Sequence, residues 1–130
     1  MTQEYIELLL KDLSSRLLYG VKGIITYDKS NTTFTVEGID NNVLHLSDAE
    51  DCYVEDFKPY LRPMSSMTER EKEEIKPLFS KFTNEFGKRV LVVRQNKMTL
   101  YQDWLNAHHF DYRGLIDKGL ALEASEDMYK

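Results

Sequence analysis

Cysteine occurs once in this chain, at Cys52, so no internal disulfide framework can hold the fold together. Proline occurs three times and glycine six, and no low-complexity tract or linker divides the chain. No apolar run approaches the roughly 20 residues that a membrane span needs. The opening MTQEYIELLLKDL lacks the basic flank and small-residue cleavage site of a secretory signal. Chemical motifs are equally scarce. There is no Gly-rich phosphate loop, no G-x-S-x-G elbow, no cysteine cluster, no i,i+4 histidine pair and no EF-hand spacing. These absences point to a cytoplasmic chain with no membrane partner, no cofactor and no resident metal.

What is present is an ordinary globular mixture: 42% apolar and 30% charged residues over 130 positions. That length is near the modal domain size, so residues 1–130 are expected to form one domain around one core. The net charge of −5 argues against a general nucleic-acid binder. Its distribution is uneven. Glu37–Asp56 holds seven acids and no Lys or Arg, whereas Lys58–Lys97 holds ten bases and five acids. Such a split can steer a charged partner, although segments that fold side by side also cancel.

Apolar periodicity organises the rest. Ile6, Leu9, Leu10, Leu13 and Leu17 recur at three- and four-residue steps, predicting a helix over 3–18 that ends at Gly20. Then the period changes. Val21–Tyr27, Thr32–Ile39 and Val43–Leu46 are short β-branched or aromatic runs joined by Asp- and Asn-rich turns. They predict an antiparallel meander reaching about Val54, with Gly38 marking a bulge. Pro59 and Pro63 are expected to confine any further strand in 48–63 to a sheet edge.

Thr68 and Glu71 have capping-box spacing, and Ile75, Leu78, Phe79, Phe82 and Phe86 follow at helical intervals. A helix over 68–86 is therefore expected, interrupted near Pro77 and stopped at Gly87, with Phe79 and Phe82 buried. The uninterrupted run Val90–Val93 predicts a strand over 89–94 covered on both faces, in the main sheet or in a small second layer. Thr99 and Gln102 repeat the capping pattern ahead of a helix over 99–109. Leu115, Ile116, Leu120 and Leu122 supply an apolar docking segment, and 123–130 reads as a frayed polar end. The fold class is α+β: a small antiparallel β-meander packed against about three helices.

Three phrases carry a resemblance: KDLSSRLLYGVK at Lys11–Lys22, KPYLRPMSSMTEREKEE at Lys58–Glu74, and DWLNAHHFDYRGLIDKGLALEA at Asp103–Ala124. Together they resemble a family of small uncharacterised proteins of gut Bacteroidetes and their phages and mobile elements. The resemblance spans most of the chain and implies a context, a cytosolic accessory protein of phage or mobile-element type. It supplies no catalytic or binding residue.

Candidate sites centre on Trp104–Leu122, which holds the sole Trp and two of the three His residues. Trp104, His109, Phe110, Tyr112 and Arg113 form the first candidate, because exposed aromatics beside Arg dominate interface hot spots. In the opposing reading Phe110 and Tyr112 cap the core, and Arg113 pairs with Asp111 or Asp117. The second candidate is a nucleic-acid or nucleotide patch of Lys88, Arg89, Arg94, Lys97 and Tyr101, with charge for phosphates and a ring for a base. Charges flanking an apolar strand also keep it from aggregating.

A third candidate is a small metal-dependent hydrolase using His108, His109 and Asp111, with Asp103 a turn earlier. Adjacent helical side chains diverge by about 100°, so His108 is expected beside Trp104 and His109 in solvent. Cys52 with His45 or His108 as base would need a thiolate, which Asp48, Glu50 and Asp51 oppose. The leading expectation is a non-enzymatic accessory protein that binds another, unidentified protein, such as a host or defence factor.

Overall fold

The computed structural model describes residues 1–129, and Lys130, the last residue of the expected frayed end, lies outside them. Its architecture is α+β. Helix α1 (Gln3–Arg16) starts where the Thr2 hydroxyl accepts the Tyr5 amide, and a short 3-10 turn carries it to Gly20 at φ +69°. Ile6, Leu9 and Leu13 bury one stripe of it. Strands β1 (Lys22–Ile25), β2 (Phe34–Asp40), β3 (Val43–Leu46) and β4 (Cys52–Tyr53) form the expected antiparallel meander. The register shifts between Val36 and Gly38, where a bulge was expected.

Strand β5 (Phe57–Pro63) corrects the expectation for 48–63. It runs inside the seven-stranded sheet, whose order is β4-β3-β2-β1-β5-β8, with β9 also on β5. It pairs antiparallel with β1, and in parallel with β8 (Phe110–Asp111) and β9 (Leu122–Glu123). Strand geometry explains how Pro59 is tolerated there. Backbone groups alternate in direction along a strand. The Tyr60 carbonyl and the Arg62 amide point one way, to Tyr129 and His109, while the Leu61 carbonyl points the other, to Ala124. Pro59 shares the direction of Leu61, so its missing N–H is not one that β1 needs. Opposite it lies Gly23, where any Cβ would collide with the Lys58 carbonyl and the Phe57 ring. Packing here tolerates nothing larger than hydrogen.

The second correction is larger. Helix α2 (Glu69–Ile75) has the Thr68–Glu71 capping box but stops after seven residues, and a 3-10 turn follows over Lys76–Leu78 with Pro77 near its start. The rest of the expected 68–86 helix is β6 (Phe79–Thr83), paired antiparallel with β7 (Arg89–Val93) in a separate two-stranded sheet. Gly87, at φ +76°, serves the hairpin loop rather than a helix end. Phe82 is 55% exposed and Leu91 65%, so neither the buried Phe82 nor the doubly covered strand is realised. Helix α3 (Met98–Ala107) follows, and no Thr99–Gln102 box starts it; its N-cap is Lys97, with no side-chain bond.

The core fills the space between α1 and the larger sheet, with Leu9, Leu13, Leu44, Phe57 and Leu61 fully buried and Leu115 and Leu120 docked against them. The last segment is pinned rather than frayed. The Tyr129 hydroxyl donates to the Tyr60 carbonyl at 2.7 Å and accepts the Lys22 amide at 2.9 Å. Among the described residues no helix is long and apolar enough to cross a membrane.

Candidate binding site

The residues of the Trp104–Arg113 segment fold inward. Its chain leaves α3 through His109, which sits at φ +63°, a left-handed turn that points the following Phe110 into the interior. Phe110 is fully buried, stacked on Trp104 with centroids 5.7 Å apart and covered by the Arg62 guanidinium at 4.1 Å. Trp104 also stacks on His108 at 4.1 Å and donates its indole N–H to Glu74. Tyr112 donates its hydroxyl to Asn106.

Arg113 pairs with neither Asp111 nor Asp117. It reaches Asp12 on α1 at 2.8 Å, and Arg16 grips the same carboxylate with Nε at 2.9 Å and Nη2 at 3.0 Å. Arg16 and Asp12 are fully buried, and Arg16 also donates to the Phe110 carbonyl at 2.6 Å. Two guanidiniums on one buried carboxylate tie α1 to the 110–113 segment. Sequence reading missed this pair. Its signal was the stripe itself, since Ile6, Leu9 and Leu13 continue at the same spacing to Arg16.

His108, His109 and Asp111 do not converge. His108 lies against Trp104, as expected, with Nδ1 at 2.9 Å from the Trp104 carbonyl. His109 is 6% exposed rather than in solvent, and it stacks on Tyr129 with centroids 3.5 Å apart. Burial, reinforced by the positive charge of Arg16, pulls its pKa down to about 4. Burial likewise pushes Tyr129 up to about 12. The Asp111 carboxylate accepts the amides of Leu115 and Ile116, which consumes it in a turn. Among the described residues no group of three or more His, Cys, Asp or Glu side chains could hold a metal ion.

A cleft of roughly 530 Å³ opens beside this segment, walled by Arg62, Glu71, His108, Ser125, Glu126 and Tyr129 among others. Its strongest charges are already engaged. Arg62 forks onto Glu71 at 2.6 and 2.8 Å, and Glu71 closes the α2 capping box with Thr68. The Arg62 hydrogen bonds hold the Glu71 carboxyl down at about 2. A carboxylate so low and so occupied is a poor general base near neutral pH. Cys52 is buried at the β4 edge, and burial, with Asp56 and Asp51 nearby, raises its thiol to about 11, well away from a thiolate nucleophile.

The β6–β7 hairpin is where side chains remain uncommitted. Phe79 packs edge-on against Tyr101 at 5.1 Å, rooting the hairpin on α3, and burial raises the Tyr101 pKa. Beyond that root Phe82, Phe86, Leu91 and Val92 are exposed, with Met98 and Leu100 at the start of α3. Lys88, Arg89 and Arg94 are exposed around them and Lys97 is half-buried. The second sequence candidate is only partly brought together: Lys88 and Arg89 lie at the loop end of β7, with Arg89 opposite Thr83, whereas Arg94 lies at its root beside Leu78, and exposed aliphatic side chains that its rationale did not include stand between them. Compared with known protein families, curated proteins and solved structures, the chain matches none.

Proposed function

We propose that this chain is a non-enzymatic protein-binding module that docks through the β6–β7 hairpin and the first turn of α3. The observation that carries this reading is the exposure of six large apolar side chains there, Phe82, Phe86, Leu91, Val92, Met98 and Leu100. Neighbouring strand residues alternate in direction, so Phe82 and Val92 stand on one face of the hairpin and Leu91 on the other, and exposed apolar side chains of this size mark interaction sites. An isolated two-stranded hairpin is marginal in water, and apolar contact with a partner would stabilise it. The surrounding Lys81, Lys88, Arg89, Arg94 and Lys97, against the single acid Glu85, favour a partner with an apolar centre and an acidic rim. In the setting that the sequence resemblance implies, an accessory protein of phage or mobile-element type, that partner is a host or defence factor.

A nucleic-acid strand would use the bases and the two phenylalanines but would leave the four aliphatic side chains in water. That imbalance favours protein over polyanion. Capture by immobilised wild-type chain and by a Phe82→Ser/Leu91→Ser variant tests the reading. The variant should lose proteins that the wild type retains. A labelled single strand should bind no tighter than about 10⁻⁴ to 10⁻⁶ M at physiological salt. Submicromolar strand binding abolished by Arg89→Glu/Arg94→Glu would replace this function with the nucleic-acid one.

A further inference from the structure

We infer that the hairpin tip docks into the β4 edge of a second copy of this chain, in a head-to-tail contact; the inference rests on the reading of the hairpin as a protein-docking surface.

The tip is built to present one ring. The Asn84 side-chain carbonyl accepts the amides of Phe86 at 3.0 Å and Lys88 at 2.9 Å, and the Asn84 amide donates to the Lys88 carbonyl at 2.9 Å. Gly87, in the left-handed region at φ +76°, completes the loop. These bonds hold Phe86 outward, 79% exposed, with Lys88 and Arg89 next to it. A loop backbone fixed in advance has less conformational freedom to lose on binding.

A matching surface lies on the same molecule, in a place its own hairpin does not reach. Tyr27, Val43, Asp51, Cys52, Tyr53 and Asp56 line an open hollow of roughly 290 Å³ at the sheet edge, and no hairpin residue is among them. Tyr53 is 60% exposed and Tyr27 66%, which gives the hollow two free aromatic walls. It lies within the acid-rich part of the chain, where Glu37–Asp56 carries seven acids without a Lys or Arg. From Lys81 to Lys97 there are five bases and one acid. An aromatic knob with Lys88 and Arg89 beside it thus meets an aromatic socket that holds Asp51, bonded to His45, and Asp56, with apolar burial for affinity and charge for orientation. β4 is also the outermost strand of its sheet, so nothing in the larger sheet covers that side.

Because knob and socket are different surfaces, each added copy leaves one of each free. Such a contact grows into rings or open chains rather than stopping at a two-fold dimer. Its electrostatic part weakens with salt.

Sedimentation velocity across a concentration series, at low and at physiological salt, tests this. The wild-type mass should rise with concentration and rise less in salt. Phe86→Ser, with the knob removed, and Tyr53→Lys, which places a cation in the socket, should each associate at least tenfold more weakly. Both sites are exposed, and unchanged melting curves would verify the folds. The decisive sample is an equimolar mixture of the two variants. The intact socket of one and the intact knob of the other should give a heterodimer and nothing larger. Wild-type chain that stays monomeric to roughly millimolar concentration overturns the inference. So does association that survives Phe86→Ser, or a mixture that stays monomeric. If self-association fails while Phe82→Ser/Leu91→Ser still loses captured proteins, the docking function stands without this partner. If both fail, that function falls as well.

Discussion

The body around α1 and the β6–β7 hairpin use the same residue types to opposite ends. In the body, Phe57 is fully buried against a glycine, and even a charged pair, Arg16–Asp12, is drawn inside, where Arg16 and Arg113 donate to Asp12 and Arg16 to the Phe110 carbonyl, while Arg16 Nη1 has no partner among the described residues. In the hairpin, Phe82 and Leu91 stand in solvent and only the root residue Phe79 has an aromatic partner close by. Core packing makes each buried body residue costly to change. The hairpin is held by its ladder and loop, so its side chains are free to serve contacts with something else.

The largest expected effect sharpens that contrast from the body side. Arg16→Ala leaves the buried Asp12 carboxylate with Arg113 alone and orphans the Phe110 carbonyl. Removing one member of a buried pair costs about 3–5 kcal/mol, and Phe57→Ala should cost a similar amount for its cavity. Urea unfolding followed by the sole Trp, Trp104, measures both. A loss below about 1 kcal/mol for Arg16→Ala would mean that the body is no better determined than the hairpin.

How much of this was legible follows from which patterns are ambiguous. Helix α1 was readable because its stripe from Ile6 to Leu17 repeats over about three turns, and the meander because Asp and Asn mark its turns. The hairpin was misread because Phe79, Phe82 and Phe86 fall at three- and four-residue steps. Those steps mimic a helix face when Pro77 and the loop Asn84–Lys88 are given too little weight. Val90–Val93 looked covered because an apolar run does not say whether anything covers it. Arg16 continues the stripe of α1, but its burial depends on pairing with Asp12 and on the Phe110 carbonyl and Arg113, which come from a segment far along the chain that no local pattern connects to it. The burial of His109 depends on a left-handed φ and on a tyrosine twenty residues later, and no local pattern encodes that contact.

A middle-sized effect probes how tightly the body closes over its C-terminal segment. His109 has a folded pKa near 4, against 6.5 for a free imidazole, because it is buried beside Arg16. The unfolded chain therefore binds the extra proton between those values. Stability should be full above about pH 6.5 and fall as pH drops toward 4, by about 2 kcal/mol after allowing for solvent screening. His109→Asn, which tolerates the left-handed backbone, should flatten that part of the profile. Glu71 acts in a separate window. Its folded pKa of about 2 lies below the usual 4.5, so its contribution is present above about pH 4.5 and lost toward pH 2. A wild-type profile that is flat from pH 6.5 to 4 would contradict the buried, neutral His109.

Smaller still is the connector between the two regions. Thr68→Ala removes the hydroxyl that accepts the Glu71 amide at 3.1 Å at the start of α2. The loss of an N-cap costs about 1 kcal/mol. Thermal melting should show it as a shift of a few degrees, roughly 4–8 °C per kcal/mol for a domain of about 100 residues. A shift as large as that of Arg16→Ala would place α2 among the determinants of the body rather than at its margin.

The smallest effect is expected where a core reading of the pattern would have put one of the largest. On a buried helix Phe82→Ala would cost about 3–5 kcal/mol. On the exposed face of β6, 55% open and opposite Val90, the same truncation removes little from the folded state that it does not also remove from the unfolded one. Stability should change by about 0.5 kcal/mol or less, while capture of partner proteins falls. Urea unfolding of Phe57→Ala and Phe82→Ala in parallel reads the contrast directly, because the chemistry deleted is the same. Equal losses at the two sites would show that Phe82 is covered in solution. A full-sized loss at high protein concentration that fades on dilution would identify the cover as another protein chain, because stability borrowed from association depends on concentration and stability from a core does not.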